Sequence, residues 1–511
     1  MSTLSPGDCT IDISEEVLSI VDILGSCDVD SISGSARSEI IFGLAGSDSI
    51  NGRAGADTIN GGDGNDLIEG GRGDDDLIGG LGDDTLNDNQ GSNLLEGGDG
   101  DDLLNSFSLT GSQTLKGGNG SDYLVSAASA LILEGGANSD VLYASGSLVI
   151  RGKDRYIPGS SATLDGGDGI DKLDATAMHK VEMEGGDDDD NLQSTDVSLS
   201  TLSGGLGDDF LQSNISNRST ENNEFDLSMR VASELNGGSG DDTLIADVSD
   251  SLVRNGRVDI VATGGSGEDN ITVSGWWAGT KSLNGDDYGI ATIYVDGGDG
   301  DDTIRVSGGL QIQIITGSGS DTIEVTAQQY RTILEGDRSI KTGDLYETFS
   351  ADPTIITDFT AGDGGDIIDF GDLLANSASN YEGLNPLASG HLSLTQSGND
   401  TLLHFDDGGG GASDGSGTII AVLEGANLLD FKSNNFVPNF DPFANSGVND
   451  LDKDGLVDEV TNYQMWTAFG GVDLTNRGGR KRFSDNTSRM WNAEKAVQVD
   501  SGFSILIKHE R

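Results

Sequence analysis

Five consecutive nine-residue units over residues 43–87 repeat one formula, Gly-Gly-x-Gly-x-Asp-x-(Leu/Ile)-x. The clearest copies are Gly61-Gly62-Asp63-Gly64-Asn65-Asp66-Leu67-Ile68, Gly70-Gly71-Arg72-Gly73-Asp74-Asp75-Asp76-Leu77 and Gly79-Gly80-Leu81-Gly82-Asp83-Asp84-Thr85-Leu86. The aspartate falls at 48, 57, 66, 75 and 84 without a slip. The glycines permit positive φ and a tight turn, and leave backbone carbonyls exposed. The apolar residue two positions after the aspartate points inward from a short strand. Stacked coils then bury a ladder of such residues. A flexible Gly/Asp-rich linker has no reason to hold an apolar residue at a fixed offset.

One unit makes half a coil, a turn plus a strand of about three residues, and two units make a coil of about 18. Turns starting at Gly43, Gly61, Gly79 and Gly97 therefore share one edge, and those at Gly52 and Gly70 share the other. Aspartate oxygens and turn carbonyls are hard ligands of the kind calcium takes, so calcium belongs between successive same-edge turns. The next unit, residues 88–96, keeps the phase but has Asn93 in the aspartate position, which weakens the second edge. Later copies load one edge only. They start at Gly117 and Gly135, then at Gly166, Gly185 and Gly204, and after larger gaps at Gly237, Gly264 and Gly297. The gaps hold loops, among them residues 217–228 and 275–289. A weak last copy starts at Gly317. The candidate carboxylate ligands are Asp48, Asp57, Asp66, Asp75, Asp84, Asp102, Asp122, Asp140, Asp171, Asp190, Asp209, Asp242, Asp269, Asp302 and Asp321. The candidate carbonyl ligands include Gly61, Gly70, Gly79 and Gly97.

Residues 43–323 resemble the calcium β-roll of RTX (repeats-in-toxin, haemolysin-type) proteins. The resemblance implies that turn aspartates and turn-glycine carbonyls ligate Ca2+. It also implies export, usually by a type I secretion apparatus. The expected fold is all-β, a right-handed parallel β-roll. The expected layout is an N-terminal segment 1–38, the roll with loop insertions 39–345, a C-terminal β cap 346–437, and a linker with a small α/β or α-containing tail module 438–511.

The chain has 87 acidic and 28 basic residues, a net charge of −59. Without cations a compact state at that charge repels itself, and low apolar content with high charge would otherwise read as disorder. Nucleic acid is a poor partner, because phosphates need cationic contacts. No apolar run approaches the ~18 residues of a spanning helix. Residues 1–30 lack the cationic start of a cleaved signal peptide, which fits the uncleaved C-terminal signal of type I substrates. Cys9 and Cys27 are the only cysteines. A disulfide outside the cell and two idle thiols are both open.

After the repeats, residues 355–370 look like the sequence that closes the roll in many secreted RTX proteins. Residues 391–403 alternate with period two, a Gly-rich loop follows, and residues 418–423 read as another strand. Residues 350–436 resemble the C-terminal domain of type I secreted proteins. A generic β cap on the roll's open end is the plain alternative, and both can hold. The tail opens with Asp450-Leu451-Asp452-Lys453-Asp454-Gly455-Leu456-Val457-Asp458. Asp450, Asp452, Asp454, the Leu456 carbonyl and Asp458 match the first part of an EF-hand or dockerin loop. Position 12 is Thr461 rather than the bidentate acid, so a solvated acidic turn is the competing reading. The basic end, Lys508-His509-Glu510-Arg511, is unlike the small or apolar end of a type I signal. Either the signal lies inside 350–511 or the chain is a truncated form.

No catalytic residue is assigned. There is no His-Glu-x-x-His, and a formal Gly-x-Ser-x-Gly around Ser413 lacks the apolar strand that a nucleophile elbow needs. Trp276-Trp277 reads as a hydrophobic plug or a sugar-stacking pair. No apolar pore-forming segment is present, which argues against a toxin. The expectation is a secreted, calcium-folded, non-enzymatic protein of the cell surface or matrix, with a cell-surface polysaccharide or another surface protein as partner. The alternative is a uronate epimerase or polysaccharide lyase on a β-helix, for which Tyr143, Arg151, Arg155 and Tyr156 form the one suggestive group.

Overall fold

The computed structural model describes residues 22–108, 111–150, 153–156, 159–215, 231–248, 257–275, 290–335, 338–342, 345–349, 352–379, 381, 385–387, 389–409, 417–440 and 442, with tail strands at 448–449, 459–460, 464–467, 470–473, 491–499 and 502–509. Outside them lie Cys9, Arg151, residues 217–228, Trp276, Trp277, Ser413, and the loop residues Asp450, Asp452, Asp454, Leu456 and Asp458. The chain divides into two compact units, Met1–Asp302 with Arg338–Phe349, and Thr303–Asp337 with Ser350–Arg511.

The first unit is a parallel roll of two sheets. One apolar ladder runs Ile41, Ile59, Leu77, Leu95, Leu115, Leu133 along one sheet, each residue opposite the next. The other runs Ile50, Ile68, Leu86, Leu104, Leu124, Leu142. All twelve are buried. They are the apolar residues two positions after a repeat aspartate, or their equivalents, because side chains alternate faces along a strand. Strands such as Thr58–Asp63 and Leu67–Arg72 have six residues, not the three expected. The ladder continues through the glycines, with Gly62 opposite Gly80, so the strand reaches the turn itself.

Within the first unit coil length varies at one edge only. The step from first glycine to aspartate is constant on the first edge. The antiparallel hairpin Ser147–Ile150 with Lys153–Tyr156 sits on the second, between Ser145 and Ser161, whose coils stay in register. The roll also starts earlier than residue 39. Ile23–Leu24 pairs with Ile41–Phe42, and Ser31–Ser33 pairs with Ser49–Asn51. Residues 22–38 are thus roll, although they lack the glycine formula. Cys27 among them is disulfide-bonded.

In the second unit, Thr303–Ser307, Thr322–Val325, Ile367–Asp369 and Phe436–Val437 pair in parallel. A second parallel run, Gln311–Ser318, Thr354–Ile356 and Thr418–Leu423, turns antiparallel at Asp400–Phe405 and Leu392–Ser397. Helices Ala327–Glu335 and Gly371–Ser377 complete it. Stacked Phe359, Phe431 and Phe436 rings lie 5.5 and 5.6 Å apart in sequence along the stack. The two compact units meet in the chain at 302/303, and the last repeat strands pair with residues 354–369. The described tail residues form three antiparallel pairs, the longest Trp491–Val499 with Gly502–His509. No helix occurs among them, where an α/β or α-containing module was expected. Alternating Val497, Val499, Phe503, Ile505 and Ile507 favour strands.

Candidate calcium-binding turns

Every described repeat aspartate in the first unit takes one posture. Asp66 is 3 % exposed, and its Oδ1 accepts the Asp48 N–H at 2.7 Å. Its own N–H goes to Asp84 Oδ1 at 2.7 Å. The chain of bonds continues through Asp102, Asp122, Asp140, Asp171, Asp190, Asp209, Asp242, Asp269 and Asp302, with every step 2.7 or 2.8 Å. On the second edge Asp57 Oδ1 accepts from Glu39 at 2.9 Å, Asp75 Oδ1 accepts from Asp57 at 2.7 Å, and Asn93 Oδ1 accepts from Asp75 at 3.0 Å. In the second unit the Asp321 N–H donates to Asp366 Oδ1 at 3.1 Å.

Oδ1 is thus tied to backbone. Oδ2 of Asp48, Asp57, Asp66, Asp75, Asp84, Asp102, Asp122, Asp140, Asp171, Asp190, Asp209, Asp242 and Asp269 is buried with no hydrogen-bond partner. These oxygens aim at the first glycine of their own turn, where, at every one of these turns but that of Asp75, a carbonyl from the next coil also arrives. A Cβ on Gly52 would lie 2.6 Å from Asp57 Oδ2 and 2.8 Å from the Gly70 oxygen. The Gly61, Gly79 and Gly97 oxygens meet Asp48, Asp66 and Asp84 in the same way at Gly43, Gly61 and Gly79. Each predicted carbonyl and carboxylate pair is therefore brought to one point, and only glycine leaves that point open.

Burial makes these carboxylates costly as bare anions. It pushes Asp66, Asp122, Asp171, Asp209 and Asp302 up to about 6, against the pull of the N–H bond to Oδ1. Asp84, Asp102 and Asp242 rise to about 7, and Asp140 and Asp190 to about 8, with burial first and the neighbouring aspartates adding to it. Such a group needs a proton or a cation. Among the described residues no three His, Cys, Asp or Glu side chains converge on one metal point. What most turns offer is a single carboxylate beside a carbonyl, an all-oxygen set that suits calcium.

The outermost described carboxylates of the rows behave differently, and sequence reasoning missed them. Asp30 precedes Asp48 in the first row, and its Oδ2 accepts from Ser26 N at 2.6 Å and Ser26 Oγ at 2.9 Å. Glu39 precedes Asp57, and both its oxygens accept from Ser35, through the N–H at 2.7 Å and through Oγ. Those bonds hold the Glu39 carboxyl below its usual range. In the second unit Asp366 Oδ2 accepts from Thr360 N at 2.6 Å and Thr316 Oγ1 at 3.3 Å. Counting the repeat phase backwards from Gly43 and Gly52 to Gly25 and Gly34 would have found the first two.

Beyond Asn93 the second edge carries no repeat aspartate. Gln113 bridges Ser106 Oγ at 2.6 Å and the Gly91 oxygen at 2.8 Å. Ser129 Oγ donates to the Gly111 oxygen at 2.7 Å. Buried Met178 and Val197 fill the same position of successive turns.

A family model, the RTX calcium-binding nonapeptide repeat, matches four spans, residues 33–68, 69–104, 108–142 and 233–250. No curated protein matches the chain significantly. Among solved structures, the chain resembles a hyperactive, Ca2+-dependent, beta-helical antifreeze protein from an Antarctic bacterium, at 19% identity and a TM-score of 0.33, over 58% of this chain and 84% of that one. Nothing about this chain's function rests on that partial likeness. The matched repeats and the rows of oxygens they build make this chain an RTX-type calcium-binding repeat protein.

Proposed function

We propose that the protein is exported by a type I secretion apparatus, folds where calcium is abundant, and serves as a non-enzymatic structural protein of the cell surface or matrix. One observation carries this reading: the row of buried Oδ2 atoms that no protein donor reaches. Where free calcium is scarce those aspartates oppose folding, and where it is millimolar they favour it. Weak extracellular calcium modules work at about 10⁻⁴–10⁻³ M. A chain that stays open inside and closes outside is suited to passage through a secretion channel. No described helix is long and apolar enough to cross a membrane.

A catalytic role draws little support from the candidate groups. Lys172 Nζ bonds Tyr143 Oη at 3.0 Å and lies over its ring, beside Tyr123. That bond raises the Lys172 pKa, so the amine stays a cation and not a base. His391 has both ring nitrogens engaged, with Ser389 Oγ at 2.7 Å and the Ser379 oxygen at 3.0 Å. The test is expression with and without a type I apparatus, using the full chain and a chain lacking residues 350–511. Full chain in the medium only with the apparatus, and no turnover of acidic polysaccharides by it, is expected. Release without the apparatus, or turnover, overturns the corresponding half of the reading.

A further inference from the structure

The second row of repeat carboxylates stops at Asp75, because Asn93 stands in the next aspartate position. The structure places another carboxylate there. Asp88 occupies the first-glycine position of that unit, is 1 % exposed, and turns its side chain toward Gly70. A Cβ on Gly70 would strike Asp88 Oδ2 and lie 2.9 Å from Asp75 Oδ2. Both oxygens are buried, and no donor outside the pair reaches either of them. Asp88 Oδ1 accepts the Gln90 N–H at 3.0 Å, and the Asp75 N–H is taken by Asn93 Oδ1 at 3.0 Å.

One coil earlier, the same point at Gly52 is shared by one carboxylate oxygen and one glycine carbonyl. At Gly70 two carboxylate oxygens converge. Asn93 keeps the acceptor that the Asp75 N–H requires but brings no charge. The carboxylate missing at 93 is thus supplied from 88. Two facing, buried carboxylates cannot both be ionised without a counter-charge. They share either a proton or a cation, and an all-oxygen pair with two negative charges suits a hard divalent ion.

We propose that Asp75 and Asp88 together hold one calcium ion that closes the second row, and that this two-carboxylate site binds more tightly than the one-carboxylate turn at Gly52. The proposal rests on calcium binding by the repeats and not on export.

The test uses the full chain with Asp88→Asn, Asp75→Asn, the double variant, and Asp88→Gly, which restores the repeat formula. Bound calcium is counted by equilibrium dialysis and metal analysis across free calcium, with circular dichroism in parallel. Each single variant should keep the β signal at saturating calcium and weaken one ion by about tenfold or more, since charge count tunes such sites. The double variant should lose no more than that same ion. Unchanged ion count and affinities in Asp88→Asn and Asp88→Gly would overturn the proposal and leave a shared proton. Dialysis counts ions whether or not the parent chain needs calcium to fold, so failure here is distinct from failure of the export reading.

Discussion

The two edges of the roll close the same turn in opposite ways. On the first edge, from Asp48 to Asp269, each turn contains a buried carboxylate with one oxygen left for a cation. On the second edge, beyond Asn93, turns are closed by Gln113 and Ser129 hydrogen bonds and by buried Met178 and Val197. The strands between are alike, so the difference lies in the turns alone. A cation-bridged turn fixes its own length, because carbonyl and carboxylate must meet. A plugged turn does not, and the hairpin of residues 147–156 sits on that edge. One edge sets the stacking; the other accepts insertions.

The largest effect expected from this contrast is the response to calcium and pH. Several sites at tenfold excess over their Kd, at roughly 1.4 kcal/mol each, match or exceed the ~5–15 kcal/mol net stability of a typical domain. Removing calcium at neutral pH should therefore abolish most of the β signal in far-UV circular dichroism. The sign of the pH effect follows from raised pKa values. A carboxyl whose folded pKa lies above its unfolded value supports folding below about pH 4 and loses that support as pH rises through the folded value. For the first edge the loss runs through about 6 for Asp66, about 7 for Asp84 and about 8 for Asp140. In chelator, β signal should fall as pH rises from 5 to 8. In calcium, affinity should instead weaken as pH falls across that window, because protons compete for Oδ2. A chelated chain with its strongest β signal at pH 8 would remove the electrostatic basis of the first edge.

A second test sets one edge against the other. Met178→Ala empties a plug on the second edge, and a buried Met→Ala change costs about 2–5 kcal/mol. Asp190→Asn, on the first edge, keeps an acceptor for the Asp171 N–H but removes a charge. Denaturant unfolding in saturating calcium should show Met178→Ala destabilised with its bound calcium intact. Asp190→Asn should lose affinity at its turn while gaining stability in chelator. If Met178→Ala lost an ion, the edges would not be the separate devices described above.

Most of the first edge was legible in the sequence, because one local formula specifies glycine, carboxylate and apolar residue at fixed offsets. The ladder from Ile41 to Leu133 follows from the same offsets. What stayed hidden depends on contacts across coils. Asp88 has no motif of its own, and reaches Gly70 only because the coils stack. Met178 and Val197 read as ordinary apolar residues until register places them one above the other. The division at 302/303 was invisible because strands 311–318 and 322–325 carry roll-like sequence but pair with residues 354–369. Ser26 and Ser35 lie before the first full repeat, where the glycine formula has lapsed although its phase persists.

Those serines supply the smallest effect and the finest form of the comparison. An interior carboxylate such as Asp66 has one oxygen that no donor reaches, whereas Asp30, the first described member of the same row, has that oxygen bonded by Ser26 N and Oγ. At Gly25 the Gly43 oxygen still meets Asp30 Oδ2, as carbonyl and carboxylate meet in the interior turns, so the geometry would admit one more cation. A hydroxyl donor removes the need for one. Ser26→Ala deletes the Oγ bond at 2.9 Å and leaves the N–H bond at 2.6 Å. The loss should be about 1 kcal/mol, typical of one hydrogen bond, with no change in calcium bound per chain. Ser26→Gly should behave alike, since the remaining donor is backbone. The discriminating measurement is calcium dialysis on Ser26→Ala: an additional ion bound would mean that Asp30 had become an interior-type site once its hydroxyl was gone. The serine would then be what limits the length of the row, rather than a local stabiliser at its end.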